Sequence, residues 1–240
     1  MLLHLLKRVW TRLRRGKYHS LNELDRKLEK YVDYDNGYFV ELGANDGVTQ
    51  SNSLYFEKHR GWRGLLVEPT PHNFLKCRKN RATRSRVFCA ACVSFEYEQE
   101  FVRIAYSNLM SAPVNLESDI TDPVAHAKLG ERFLRDQEMV FEFGAVARTL
   151  NDLLLTASAP ALVDFLSLDV EGAELEVLKG IDHERFRFKY LLIECRDFAR
   201  LNNYLEGHGY AFVEKPSGQD YLFTSLRSDG KRAIPKSGEA

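Results

Sequence analysis

Cysteine is scarce. The 240-residue chain has four, too few for the disulfide framework of a small secreted scaffold, and this usage fits a reducing compartment, here read as cytoplasmic. Cys89 and Cys92 have the redox spacing, but they lie in "RVFCAACVSF", which reads as strand. A reactive pair normally sits at a helix N-terminus that lowers the thiol pKa, and no second pair stands at zinc-finger spacing, so both are read as buried, inert thiols. Internal repeats are absent, which removes solenoids and propellers. A surplus of charge is missing too, with 34 Lys and Arg against 34 Asp and Glu. The balance is uneven, however: Lys7, Arg8, Arg12, Arg14, Arg15 and Lys17 fall in the first 20 residues with no acid among them. The remaining body is acidic, which argues against nucleic acid as the partner.

What is present is an ordinary globular composition, 44% hydrophobic and 28% charged, long enough for one sizeable core. The opening "MLLHLLKRVWTRLRRG", residues 1–16, mixes apolar and basic residues. Its apolar run is far short of the roughly 20 residues that span a bilayer. Its charge follows the apolar part and no small-residue cleavage site appears, unlike a signal peptide. Two readings stand: a basic amphipathic helix in peripheral contact with an anionic membrane or a partner, or a helix packed on the domain or frayed. The expected organisation is an N-terminal basic, amphipathic helical segment over 1–36, one domain over 37–225 and a loose tail over 226–240.

Within the domain, short apolar runs alternate with helical patterns, as in an α/β fold whose mostly parallel sheet is covered by helices. Strands are expected at 37–42, 64–69, 86–94, 162–170 and 189–195, with helices over 48–59, 71–81, 149–157, 172–180 and 197–209. Residues 95–147 break the rhythm with two extra strands and a helix over 122–137, opened by Asp122 with Pro123 at its first position. This insertion is a candidate substrate lid, the alternative being an edge hairpin. "YAFVEK" and "QDYLFTS" suit an antiparallel edge hairpin.

In a doubly wound sheet, ligands bind beyond the carboxyl ends of the strands, near the point where strand order reverses. Acidic residues collect there: Glu41, Glu68, Asp169, Glu171 and Glu194. The turn after the first strand, Gly43-Ala44-Asn45-Asp46-Gly47, lets backbone approach a ligand. Its glycines miss the dinucleotide spacing, since Asn45 and Val48 stand where glycine is wanted, so an NAD-dependent oxidoreductase is disfavoured. Glu68, about twenty residues on, is placed to accept from two ribose hydroxyls. A ribose without pyrophosphate, beside a cationic group near Glu41 and Asp46, describes S-adenosylmethionine.

"VELGANDGVTQSNS", "GWRGLLVEP" and "FLSLDVEGAELEVLKG", followed by "LLIE", resemble the FkbM-type S-adenosylmethionine-dependent methyltransferases over about residues 37–225. The resemblance implies the Rossmann-like class I methyltransferase fold, a seven-stranded sheet with its last strand antiparallel. It also implies O-methyl transfer to a sugar, glycan or small molecule. It assigns the cofactor turn to Glu41–Gly47, the ribose acid to Glu68 and the fourth-strand motif to Asp169, Glu171 and Gly172, with Asn52 near the methionine end. A non-catalytic scaffold of the same fold is the alternative. Asp169, Glu171 and Glu194 are expected to converge as the catalytic acids. Of two roles for them, a metal-free general base, with Glu171 nearest the acceptor, is favoured over ligation of Mg²⁺ or Ca²⁺.

Overall fold

The computed structural model describes residues 17–135 and 137–227. The membrane-contact reading of residues 1–16 and most of the expected tail lie outside them.

The central sheet contains β1 (Tyr38–Leu42), β2 (Arg63–Val67), β3 (Arg86–Phe88), β8 (Leu162–Leu168), β9 (Arg187–Glu194), β10 (Tyr210–Glu214) and β11 (Asp220–Ser225). Its order is β10-β11-β9-β8-β1-β2-β3. All neighbours are parallel except β11, which runs antiparallel to both β9 and β10. The chain winds outward from β1 to β3, then returns to lay β8 on the other side of β1. Strand order therefore reverses between β1 and β8, and a crevice opens at their carboxyl ends.

Side-chain alternation divides the central strands between two core layers. Val40, Leu65, Leu166 and Leu191 pack on one face with residues of α5 (Leu150–Thr156), α6 (Glu174–Leu178) and α7 (Phe198–Gly207). Their neighbours Phe39, Leu66, Phe165 and Leu192 pack on the other with α1 (Leu24–Leu28), α2 (Leu54–His59) and α3 (Pro71–Asn80). Burial on both faces explains why these strands read as continuous apolar runs.

The expected strand over 86–94 is two strands. After β3 the chain leaves the main sheet, and β4 (Ala91–Val93) pairs in parallel with β7 (Phe141–Thr149). A smaller sheet, β4-β7-β5-β6, results, with β5 (Phe101–Tyr106) and β6 (Ala112–Pro113) from the insertion. All four cysteines are free. Cys92 is buried, but Cys89, expected to be buried as well, is only partly so; burial pushes the Cys89 thiol up and that of Cys92 up to about 12.

Helix boundaries also contract. The helix expected over 48–59 begins only at Leu54, because Ser51, Ser53 and the Asn52 backbone are hydrogen-bonded to Glu41 instead of continuing the helix. Asn52 is thus a loop residue. The expected helix over 122–137 is α4 (Pro123–Leu129) followed by a 3₁₀ turn, Gly130–Phe133. Asp122 caps α4 by accepting from the Ala125 N–H at 2.9 Å.

Candidate functional site

A cavity of about 360 Å³ opens over the carboxyl ends of β1, β2, β8 and β9. That is within the usual range of small-molecule sites. Insertion residues, including Asn108, Met110, His126 and Phe133, form part of its wall.

At the β1 end, Gly43 adopts φ +77° and a Cβ there would collide with the carbonyl oxygen of Asp169. The glycine thus lets the first and fourth strand ends close on each other. Gly43, Ala44 and Asn45 line the cavity, whereas Asp46 and Gly47 do not. Asp46 accepts from the N–H groups of Val48 and Thr49, at 2.9 and 2.7 Å, and closes a turn. Gly47 packs against Cys77 and Arg81. Both have local structural work, and neither meets the expectation of facing the ligand.

Glu41 reaches the cavity wall, but its carboxylate is turned to the protein. Oε1 accepts from the Asn52 N–H at 2.9 Å, and Oε2 accepts from Ser51 and Ser53 and from Arg81 Nη1 at 3.2 Å. Arg81 is fully buried and also donates to Glu57 at 2.6 Å. A buried ion network therefore holds the 51–53 loop. Asn52 Nδ2 donates to Ser167 at 2.9 Å, while its buried Oδ1 has no partner among the described residues.

Glu68 is fixed by two backbone donors, Asn45 N–H at 2.8 Å and Thr70 N–H at 2.9 Å. Burial raises its pKa, against the lowering effect of these bonds. The carboxylate joins the turns after β1 and β2 and borders the cavity.

The strand-end acids of β8 and β9 do converge on this cavity. Asp169, Glu171 and Glu194 all line it. Asp169 is open to the cavity, but protein surrounds that space. Desolvation, then the charges of Glu194 and Glu171, raise its pKa well above the usual carboxylate range. Burial first, then Glu171, raises Glu194 to about 6, while a hydrogen bond from Asp169 opposes the rise.

Glu171 is not a free base. Its Oε2 lies 2.7 Å from His126 Nε2 and accepts from Arg196 Nη2 at 3.1 Å. Its backbone is held in the left-handed region, φ +55°. Glu174 fastens this loop by accepting from the N–H groups of Val170 and Gly172, at 2.9 and 3.2 Å. Sequence reasoning left His126, Arg196 and Arg81 out, and nothing in their local patterns marks them: each lies in an unremarked run and is brought in by tertiary structure. Among the described residues, no group of three or more His, Cys, Asp or Glu side chains is disposed to hold a metal ion.

A sheet of this order with a single reversed strand next to its edge, and a cavity at the switch point, defines a Rossmann-like class I methyltransferase fold. A family model described as the methyltransferase FkbM domain matches residues 41–212, and the chain belongs to that family of methyltransferases. It is similar to Methyltransferase 1 of Beauveria bassiana (strain ARSEF 2860), 25% identical over 191 residues that make up 76% of each chain. Among solved structures, it is similar to a human methyltransferase 10 domain containing protein, with 13% identity and a TM-score of 0.45 over 85% of this chain and 83% of that one. TrmK of M. capricolum, in complex with S-adenosyl-homocysteine, gives 11% identity and a TM-score of 0.39 over 82% and 66% of the respective chains. No helix among the described residues is long and apolar enough to cross a membrane.

Proposed function

We propose that the protein transfers a methyl group from S-adenosylmethionine to a hydroxyl of a sugar, glycan or small molecule, within this cavity. The observation that carries the reading is the character of its β1–β2 end. The turns there contribute Glu68 and the unpartnered Asn52 Oδ1, and no lysine or arginine. Acceptors of this kind in the turns suit ribose hydroxyls and an ammonium group, while the insertion brings Arg132 to the cavity wall and Arg135 within 3.6 Å of Asp46.

In this reading Glu68 receives the two ribose hydroxyls, Asn52 Oδ1 receives the amino group, and the backbone at Gly43–Asn45 lies against the ligand. Bound there, the sulfonium supplies an activated methyl group. The chain's own residues then align the acceptor hydroxyl at the β8–β9 end, keep water out beneath the insertion, and take up a proton. The insertion serves as the lid.

Calorimetry with S-adenosylhomocysteine tests the cofactor assignment, with an expected dissociation constant in the micromolar-to-millimolar range. Glu68→Gln keeps the shape but loses the charged acceptor, and should weaken binding by about 1–3 kcal/mol. Absence of binding to the wild-type protein would sink the cofactor reading, and unchanged affinity in Glu68→Gln would remove that residue from the ribose.

A further inference from the structure

The insertion supplies more than a wall: we propose that His126, oriented by Glu171, is the base that takes the acceptor's proton, a role that rests on the methyl-transfer reading above. His126 sits on α4 and lines the cavity, and its ring reaches across to the fourth-strand loop. Glu171 Oε2 accepts from Arg196 as well, at 3.1 Å, so a carboxylate there makes a charge-assisted bond to the guanidinium. An ionised carboxylate only accepts, so Nε2 must carry the hydrogen of the 2.7 Å bond. In the neutral ring this leaves the lone pair on Nδ1. Among the described residues, no group hydrogen-bonds to Nδ1.

The surroundings suit that assignment. The two side chains are about equally shielded, with 14% and 15% exposure. The left-handed backbone of Glu171 is an unfavourable conformation for this residue type, and here it aims the carboxylate at α4. The segment before α4 is pinned to the same loops. Asp119 N–H donates to the Gly172 carbonyl at 3.0 Å, and Asp119 Oδ2 accepts from the Arg196 N–H at 2.7 Å. Nucleophile, base and orienting acid then follow the general pattern of an activated hydroxyl. Glu171 is accordingly a positioning residue.

The step balances without any further reactant. An electron pair of the acceptor oxygen forms the new O–C bond while the C–S bond of the donor breaks, its pair remaining on sulfur. The hydroxyl proton passes to Nδ1 of His126, and the resulting imidazolium is stabilised by Glu171. Release of that proton to water restores the ring.

Full-length protein with ¹⁵N-labelled histidine provides the test. Long-range ¹H–¹⁵N spectra, with His126 identified by the signals lost in His126→Gln, should show a ring protonated at Nε2 at pH 8, shifting towards the other tautomer in Glu171→Gln. A ring protonated at Nδ1, or carrying both protons at that pH, overturns the proposal. A second measurement uses tritiated S-adenosylmethionine and the extract fraction of glycans, lipids or small molecules that the wild-type protein labels. His126→Gln should lower labelling about 100-fold or more, with S-adenosylhomocysteine affinity within about twofold, and imidazole should restore part of the labelling in His126→Ala. Labelling by His126→Gln within a few fold of wild type rejects the base. Failure of the wild-type protein to bind S-adenosylhomocysteine would instead strike the methyl-transfer reading, and the tautomer measurement would still decide the orientation of the ring.

Discussion

At Arg81 a full positive charge lies inside the protein, between Glu41 and Glu57, with neither carboxylate more than slightly exposed. Removing one partner leaves buried charge uncompensated. Arg81→Met should therefore cost about 3–5 kcal/mol, measurable as a lower urea midpoint, and an unchanged midpoint would mean that the network contributes nothing. Glu194 presents the opposite case. Its folded-state pKa is raised to about 6, chiefly by burial, so the folded chain binds this proton more tightly than the unfolded chain does. Its contribution to stability is complete below the unfolded value and is lost as pH rises through about 6. Glu194→Gln should flatten this dependence by on the order of 1–2 kcal/mol. Thermal melts of both proteins at pH 4.5 and pH 8 provide the check, and parallel profiles would refute it. The acids at strand ends were legible in the sequence because position alone placed them. Their partners were not: "KNRATRSR" offers four arginine or lysine side chains and no local reason to choose Arg81.

Elements with a continuous apolar run declared themselves, since β1, β2, β8 and β9 are buried on both faces and tolerate little else. Boundaries were less visible where side chains compete for backbone groups. The loop before α2 stays out of the helix through Glu41, and the α6 loop is fastened by Glu174. The split between β3 and β4 was hidden because "RVFCAACVSF" is β-prone throughout, and only the distant β7 draws its second half away. The insertion's path from Leu116 to α4 depends in turn on contacts with the loops after β8 and β9. Asp119→Ala removes the acceptor for the backbone N–H groups of Arg196 and Asp197. Amide hydrogen exchange over residues 116–126 should accelerate about tenfold, corresponding to about 1.4 kcal/mol of local stability. Unaltered exchange there would show that the segment is held by other contacts.

For the whole molecule, the sheet order and the reversed β11 bring residues from nearly every part of the described chain to one place. The cavity is lined by Leu21 and Leu24 near one end of that range, and by Gln219 and Asp220 near the other. The general architecture was legible because the alternation of strands and helices survives the insertion. The packing of the insertion against Glu171 was not, as it depends on two segments 45 residues apart. This arrangement also has a consequence for biosynthesis. On the ribosome, the pocket cannot close until residue 220 has emerged from the exit tunnel and β11 has slipped between β9 and β10. A small molecule that fills the finished pocket therefore stabilises the completed chain selectively, while partly synthesised chains gain no comparable protection.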